Sequence, residues 1–486
     1  MAYLEKRGAT RFFRISILVL VLFLLVSYSN NQQDDAYIFY KYAHNIANGY
    51  GYVFNPGEFV NATTSPLYTL LLAFGYTLFK WLPGLTLPVL GHVIGALSLA
   101  VIALVSAKLF ADMGLSVLPF VFPLLFLGNP LLYNAVGMET FLTLALIVLA
   151  FYFYQRGALN WVSVFCALGV LSRPDSLIVP VIVAIDYVIQ KRRLPPVSTF
   201  ALFLIVLAPW ALFSLVYFGD IIPTTFWAKL GQSQSGRWGT GFLYLGGLRS
   251  TAWLVPVLRW PVFLGLVISS VYLSFDRRWL KHRILVLILV WSVVLLLVYA
   301  VVLNPPPYPW YYTPLAIGIS LVYGLVPELA YDLPWFKRRL TINTYTLLVV
   351  VAAFALAVVL PTANLGRRVT EKYETYSRAA QWLNDHASEG ATVAANEIGV
   401  IGYFYNKGRI IDGLGLVTPD VGQHVARQDY TWYVHAYRPD YLVFRYPNRP
   451  LLEDMVHEGW FQEGYKLETV IDARMDVAIY KCVECS

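Results

Sequence analysis

The chain has 486 residues, of which 58% are hydrophobic and 13% are charged, and its formal net charge is +7. A soluble globular protein is about half apolar and about a quarter charged, so this composition excludes that class. Repeated apolar runs with few charges predict a polytopic α-helical membrane protein. The basic residues stand between the apolar runs and form no single patch. This argues against nucleic-acid binding. It indicates that the positive charge reflects membrane topology, since basic residues collect in cytoplasmic loops.

Basic residues precede the first apolar segment, Ile15–Tyr28, and predict a retained helix with a cytoplasmic N-terminus. The further apolar runs are Leu67–Leu82, Pro88–Phe110, Leu115–Leu127, Phe141–Tyr154, Trp161–Leu171, Leu177–Ile189, Ser198–Phe218, Trp253–Leu273, Ile284–Leu303, Thr313–Leu329 and Tyr345–Val359.

Three basic clusters, at residues 191–193, 277–283 and 337–339, predict cytoplasmic loops. They place everything after Pro361 outside, whereas twelve crossings would return the C-terminus to the cytoplasm. About eleven transmembrane helices are therefore predicted, with one run between Leu67 and Leu127 failing to cross. Leu115–Leu127 is the chosen run, because it is short for a span.

The composition changes near residue 362. Residues 1–361 are predicted to form the transmembrane domain, with a first outer loop at 30–66, and residues 362–486 an extracytoplasmic α/β domain. That domain begins with a polar helix, Thr370–Ala387, and its β-like runs are Thr392–Ala395, Arg409–Ile411, Tyr441–Phe444 and Val477–Tyr480. Cys482 and Cys485 form a lone CxxC, read as a terminal disulfide or two free thiols.

Asp34 and Asp35 stand where the first apolar segment ends, and two explanations compete for them. An Asp before the predicted helix Ala36–Asn48 could cap its free N–H groups. Alternatively, one carboxylate removes a proton from an acceptor hydroxyl while the other orients it, or the two hold a divalent metal. Carboxylates at this depth favour a functional role.

The helix Ala36–Asn48 carries aromatic residues and the cations Lys41 and His44. This pattern suggests a helix lying in the membrane interface, with the cations meeting a lipid phosphate. A solvated or headgroup-facing charge is the alternative for both residues.

Four further groups fall on the predicted outer side. Glu139 begins an apolar run, and Arg173-Pro174-Asp175 interrupts another. A helix N-terminal charge and an ion pair at a kink are the alternatives for them. Lys229, in the outer loop Pro223–Lys229, supplies positive charge that an anionic leaving group needs. The aromatic loop Pro305–Pro314, with Tyr311, suits either an interfacial belt or the wall of a sugar site.

At DDAYIFYKYAHNIANGYGYVFNPGE (residues 34–58) the chain resembles bacterial GT-C glycosyltransferases, the group with the terminal arabinofuranosyltransferases and protein mannosyltransferase-like enzymes. The likeness continues at Thr64–Leu67, Gly137–Thr140, Arg173–Asp175, Pro223–Lys229, Trp310–Tyr312, Asn396–Tyr403, Ile411–Leu416 and Arg438–Tyr441. The resemblance implies an inverting transfer of a monosaccharide from a polyprenyl-phosphate donor outside the cytoplasmic membrane. It implies that Asp35 is the catalytic base and that the outer domain helps to bind the acceptor.

We therefore predict a multi-pass glycosyltransferase of the cytoplasmic membrane that acts on a glycan, lipid or protein acceptor. No cofactor is expected with certainty, a divalent metal at Asp34 and Asp35 being the candidate. The predicted donor-phosphate contacts are Arg173, Lys229, Lys41 and His44, and the predicted acceptor-positioning residues are Glu139 and Tyr311. The alternatives are a transporter or flippase for a lipid-linked glycan and an oligosaccharide polymerase or ligase.

Overall fold

The computed structural model describes residues 13–15, 17–22, 32–247, 282–331, 372–448, 450–471 and 476–485. The helices are α1 (Asp34–Ala47), α2 (Pro66–Phe79), α3 (Leu87–Asp112), α4 (Leu118–Leu127), α5 (Thr140–Gln155), α6 (Leu159–Ser172), α7 (Ile178–Lys191), α8 (Val197–Phe218), α9 (Thr224–Gln234), α10 (Arg283–Leu297), α11 (Leu315–Tyr331), α12 (372–386), α13 (Gly399–Phe404), α14 (Pro419–Ala426), α15 (Trp432–Tyr437) and α16 (Gly459–Gly464). The strands are β1 (Val393–Ala395), β2 (Ile410–Asp412), β3 (Tyr441–Arg445), β4 (Tyr465–Ile471) and β5 (Val477–Cys482).

Three helices of the described residues are long and apolar enough to cross a membrane: α3, α8 and Arg283–Leu303, in which α10 continues as a π-helical turn. Shorter apolar helices, among them α5, α6 and α11, complete the bundle. The predicted spans Trp253–Leu273 and Tyr345–Val359 lie outside the described residues, as does part of Ile15–Tyr28. The number of crossings therefore stays a prediction.

The chain crosses the bundle between α3 and α5, contrary to the expectation for Leu115–Leu127. At one end of the bundle, the Gln32 amide donates to the Pro88 carbonyl and the Tyr40 hydroxyl to the Gly137 carbonyl, over 2.7 and 2.9 Å. At the other end Asp112 pairs with Arg156 at 3.0 Å. The segment that joins the two ends is α4 with the 3-10 helix Pro130–Ala135. A short α-helix crosses here because a second helical piece extends it.

The run that does not cross is Leu67–Leu82, which forms α2. The Tyr68 hydroxyl in its first turn donates to the Gly137 carbonyl over 2.7 Å. Near its other end, the Tyr76 ring lies 6.4 Å from the His44 ring of α1. Both ends of α2 are thus on the same side of the bundle. Its outward face exposes large apolar side chains, namely Leu70, Leu71, Phe74 and Leu78. This face indicates a helix lying along the membrane surface.

The expectation that α1 lies in the membrane interface is wrong, because α1 is buried. Its buried side chains include Tyr37, Phe39, Tyr40 and Tyr42. They belong to a hydrophobic core that also contains Phe54 of the first loop and residues of α12, β1 and α13. The first loop and the C-terminal α/β domain therefore fold around one shared core, with α1 between that domain and the membrane bundle.

The C-terminal domain contains a five-stranded sheet of order β2-β1-β3-β5-β4. β1 pairs in parallel with β2 and β3, whereas β5 pairs antiparallel with β3 and β4. Four strands and the polar helix α12 lie where the sequence predicts them. β4 was not predicted, although Tyr465–Glu468 alternates apolar and polar residues, and its Leu467 is exposed. Cys482 and Cys485 form a disulfide.

Candidate active site

Asp34 and Asp35 occupy the first turn of α1, and neither is its N-cap. The N-cap residue is Gln33, with no side-chain cap bond. The carboxylate of Asp34 instead accepts hydrogen bonds from the backbone N–H groups of Gly399 (3.0 Å) and Val400 (2.9 Å) in α13. The capping explanation is therefore wrong for α1, while Asp34 satisfies N–H groups of a different helix.

Asp35 faces a cation from another element. The Asp35 Oδ2 atom lies 4.0 Å from Lys229 Nζ, and the two side chains are 24% and 13% exposed. Lys229, on α9, also lies 4.1 Å from the centre of the Tyr308 ring and 5.9 Å from that of Trp310. The sequence predicted Lys229 and the aromatic loop as parts of the site, and the structure brings them to Asp35.

Burial controls the protonation of these groups. It raises the pKa of Asp35 above its usual value, while Lys229 and then Lys372 lower it. Burial also raises the pKa of Asp34 to about 6. For Lys229, burial lowers the pKa and the neighbouring carboxylate of Asp35 raises it. A carboxylate whose pKa is moved towards neutrality suits a general base.

The C-terminal domain adds charged groups that sequence reasoning missed. Glu397, which follows β1, pairs with Lys372 at the start of α12, and its other oxygen lies 3.5 Å from Arg445 at the end of β3. These groups stand at the carboxyl ends of neighbouring parallel strands, where open α/β sheets form a crevice. Glu397 lies in the segment Asn396–Tyr403 that carries the resemblance, whereas no sequence signal pointed to Lys372.

Arg173 belongs to a second, buried charged centre. Its guanidinium donates to Glu139 over 3.1 Å, to Asp175 over 2.8 Å and to the Tyr299 hydroxyl over 2.9 Å. The Tyr299 hydroxyl in turn donates to Asp175 over 2.7 Å. The side chains of Arg173 and Glu139 are only 7% and 3% exposed. The two carboxylates balance the charge of Arg173, as the ion-pair alternative expects, so little of it is left for a donor phosphate.

Tyr311 lies between the two centres, since its ring is 5.4 Å from the ring of Tyr299 and 6.3 Å from that of Tyr308. Burial raises the pKa of its hydroxyl, and the charges that act on it include Arg173 and Glu139 from one centre and Asp35 from the other. The hydroxyl is therefore within electrostatic reach of both. Its predicted role in positioning the acceptor stays a prediction.

Lys41 and His44 make other contacts. Lys41 Nζ donates to the Tyr405 carbonyl over 3.3 Å, and burial lowers its pKa to about 8. The His44 ring lies 3.0 Å from the Asn48 amide and is half-buried. Neither contact includes Asp35 or Lys229, so the structure does not support the predicted role of these residues in binding the donor phosphate.

The acidic pair does not fit a metal site. Both carboxylate oxygens of Asp34 already accept backbone N–H groups, and Lys229 supplies a cation beside Asp35. Within the described residues no group of three His, Cys, Asp or Glu side chains could hold a metal ion. A metal ion beside Asp35 would also stand next to the ammonium of Lys229, which repels it, so no step is derived through one.

Known proteins resemble this chain in fold rather than in sequence. No curated protein matches the chain by sequence. A family described as a domain of unknown function, DUF8728, matches residues 365–480. Among solved structures, the chain is similar to ArnT from Cupriavidus metallidurans bound to undecaprenyl phosphate, with 14% identity, a TM-score of 0.61 and 98% of each chain covered.

A second similar structure is the archaeal oligosaccharyltransferase AglB from Archaeoglobus fulgidus, in complex with an inhibitory peptide and a dolichol-phosphate. The identity is 13% and the TM-score 0.51, and the match covers 89% of this chain and 69% of AglB. Identities this low establish the fold alone. The chain is a multi-pass membrane protein with a C-terminal α/β domain and has the GT-C fold, as predicted from the sequence.

Proposed function

We propose that this chain is a glycosyltransferase that moves a monosaccharide from a polyprenyl-phosphate donor to a hydroxyl-bearing glycan, lipid or protein. The observation that carries the proposal is the partly exposed pair of Asp35 and Lys229 beside an aromatic wall. The GT-C fold supports it, since ArnT was solved with undecaprenyl phosphate and AglB with a dolichol-phosphate.

In the proposed reaction, Asp35 accepts the proton of the acceptor hydroxyl as its oxygen bonds to the anomeric carbon. The bond between that carbon and the phosphate oxygen breaks, and polyprenyl phosphate leaves with the electron pair. Attack from the face opposite the phosphate inverts the anomeric centre. Lys229 stabilises the negative charge on the phosphate, because a fixed ammonium in a partly buried cleft needs no reorganisation. Asp35 then returns its proton to solvent.

Lys229 is a better candidate for the phosphate contact than Arg173. Lys229 has a single carboxylate at 4.0 Å, whereas Arg173 is bound by Glu139, Asp175 and Tyr299. A phosphate can therefore approach Lys229 without breaking a buried ion pair. We assign Glu139 to holding Arg173 in place and Tyr311 to the wall that positions the acceptor.

We propose that residues 362–486 form a domain on the outer side of the cytoplasmic membrane, together with the active site. The disulfide between Cys482 and Cys485 supports this orientation, because disulfides persist in oxidising compartments. The basic loops described from the sequence support it as well. The match of DUF8728 to residues 365–480 supports a boundary near residue 362.

The proposal is tested with purified full-length protein and a polyprenyl-phosphate sugar. We expect Asp35→Asn to lower transfer by about 10²- to 10⁴-fold, since the general base is lost. The matched control is Asp420→Asn, which changes an exposed aspartate of the C-terminal domain and should leave transfer unchanged.

Two results would overturn the assignment. Unchanged transfer by Asp35→Asn removes Asp35 from its role. If the wild type transfers sugar from no such donor, the alternatives of a transporter or flippase and of a polymerase or ligase gain weight. Transport of a lipid-linked glycan in proteoliposomes distinguishes the first of these from the second.

A further inference from the structure

Asp34 and Lys41 contact the two ends of the same short helix in the C-terminal domain. Asp34 accepts the N–H groups of Gly399 and Val400 in the first turn of α13. Lys41 donates to the carbonyl of Tyr405, the C-cap residue of α13, over 3.3 Å. An anion thus stands at the N-terminus of α13 and a cation at its C-terminus, as the helix dipole favours.

The contact between α1 and α13 is too close for a side chain at its start. A Cβ atom on Gly399 would overlap the backbone carbonyl of Asp34. Farther along, a Cβ atom on Gly402 would lie 2.5 Å from the ring of Phe54 in the first loop. Between the two charged ends, the Tyr37 ring lies 5.6 Å from that of Tyr403. The two helices therefore pack along their whole common length.

A six-residue helix is not stable alone in water, so α13 depends on what it packs against. Residues 34, 37 and 41 share one face of α1 by their spacing, and this face meets α13. The next residue, Asp35, points to Lys229 instead. The adjacent carboxylates therefore act differently: one faces the C-terminal domain and the other faces the cleft.

We propose that Asp34 and Lys41 are positioning residues that clamp α13 along α1 and thereby hold Asp35 under the C-terminal domain. The α1–α13 clamp consists of the contacts of Asp34 with Gly399 and Val400 and of Lys41 with Tyr405. Its effect on sugar transfer rests on the proposed function, but its existence does not. Asp34 takes no part in proton transfer.

The clamp itself is tested by amide hydrogen exchange in the full-length protein. Asp34→Ala removes the acceptor of two specific N–H groups, so exchange at Gly399 and Val400 should become about 10-fold faster or more. The control is Asp440→Ala, which removes the acceptor of the Thr392 N–H inside the C-terminal domain and should speed exchange at Thr392 more than at Gly399. Unchanged exchange at Gly399 and Val400 in Asp34→Ala overturns the proposal.

The positioning role is tested by kinetics normalised to the number of donor-binding sites, measured by titration with the polyprenyl-phosphate sugar. Lys41→Met should lower kcat per site about 10-fold with the donor KM unchanged, because Lys229 is untouched. Lys41→Arg should restore it. Lys80→Met, which removes an exposed lysine at the end of α2, should change nothing.

A merely structural role would reduce the number of binding sites and leave kcat per site as in the wild type, which would overturn the positioning role. Should the wild type transfer no sugar, the proposed function fails while the exchange experiment still decides whether the clamp exists.

Discussion

Two charged centres of the described residues differ in how their charges are used. The Arg173 centre is closed: one guanidinium, two carboxylates and a tyrosine hydroxyl bind one another, and almost none of their surface reaches solvent. The Asp35 centre is open, with a single ion pair at 4.0 Å and both side chains partly exposed. Similar residues thus build a closed ion-pair network in one place and an open, partly exposed pair in the other.

In the sequence, the motifs Asp34–Asp35 and Arg173–Asp175 suggest a reaction equally well. The difference in exposure explains why only one of them offers charged groups that a ligand can reach. A buried ion pair adds little net stability but becomes costly when one partner is lost. A ligand can approach an open pair directly, because each group keeps part of its surface exposed. Substitutions at the closed centre should therefore act on stability, and substitutions at the open centre on transfer.

The largest effect on stability is expected at the closed centre. Arg173→Met leaves the carboxylates of Glu139 and Asp175 buried without their cation, and should destabilise the protein by about 3–5 kcal/mol. Thermal unfolding in detergent measures this change. The control is Arg156→Met, which breaks the exposed pair with Asp112 and should cost at most about 1 kcal/mol. Equal losses in the two variants would contradict the comparison.

At the open centre, Lys229→Met should leave the unfolding temperature near that of the wild type and lower transfer by about 10²-fold. The reason is that the developing phosphate charge loses its fixed cation. Steady-state kinetics with the polyprenyl-phosphate sugar measure this loss, and Lys229→Arg should recover part of it. If Lys229→Met unfolds at a lower temperature but transfers sugar normally per folded molecule, the role of Lys229 is structural and the proposed phosphate contact is wrong.

Asp412, in the C-terminal domain, is another buried charged group on which the effect of burial can be tested. Its buried carboxylate accepts the N–H groups of Leu414 (2.8 Å), Leu416 and Val417 (3.3 Å), and burial raises its pKa to about 6. A raised carboxyl pKa means that folding takes up a proton. The contribution to stability is therefore complete below the unfolded pKa, about 3.9, and is lost as pH rises through about 6.

The raised pKa values of Asp34 and Asp412 both predict that the wild type unfolds at a higher temperature at pH 5 than at pH 7.5. Asp412→Asn should lose about 1–3 kcal/mol at pH 5, since one acceptor is replaced by a donor, and should show a flatter pH dependence. Thermal unfolding across this pH range measures both quantities. An unchanged slope would exclude Asp412 as a source of the dependence.

The smallest effect is expected from Tyr299→Phe, which deletes the hydroxyl between Arg173 and Asp175. The ion pair itself remains, so the cost should be about 1–2 kcal/mol, and transfer per folded molecule should not change. Unfolding and transfer are measured on the same preparation. A loss of transfer without a loss of stability would show that the closed centre takes part in the reaction.

Sequence patterns pointed to the Asp34–Asp35 pair at the end of an apolar run, and to Lys229 and the aromatic loop in predicted outer loops. They also identified the α/β domain and four of its strands. What they could not show depends on contacts between distant parts of the chain. Asp34 meets residues 365 and 366 positions later, and the bond from Lys41 spans 364 positions. No local spacing distinguishes a carboxylate that binds α13 from its neighbour that faces Lys229.

For a related reason, the sequence predicted that α1 lies at the membrane interface, whereas the structure indicates this position for α2. Both α1 and α2 combine aromatic and apolar residues, and the choice between burial and the membrane surface depends on whether another domain covers the helix. The C-terminal domain covers α1, so its tyrosines are buried, while the outward face of α2 stays exposed. A domain contributed by the last quarter of the chain thus decides the surroundings of residues near its beginning.

The two-piece crossing formed by α4 and Pro130–Ala135 has a consequence for how the protein is made. The ten residues of α4 span only about 15 Å of a hydrocarbon core about 30 Å thick. The N–H groups of Val117 and Leu118 at its start are satisfied by Glu328 of α11, which is synthesised more than 200 residues later. This segment should therefore enter the bilayer stably only after the ribosome has delivered α11, which makes assembly of this part of the bundle a late event in biogenesis.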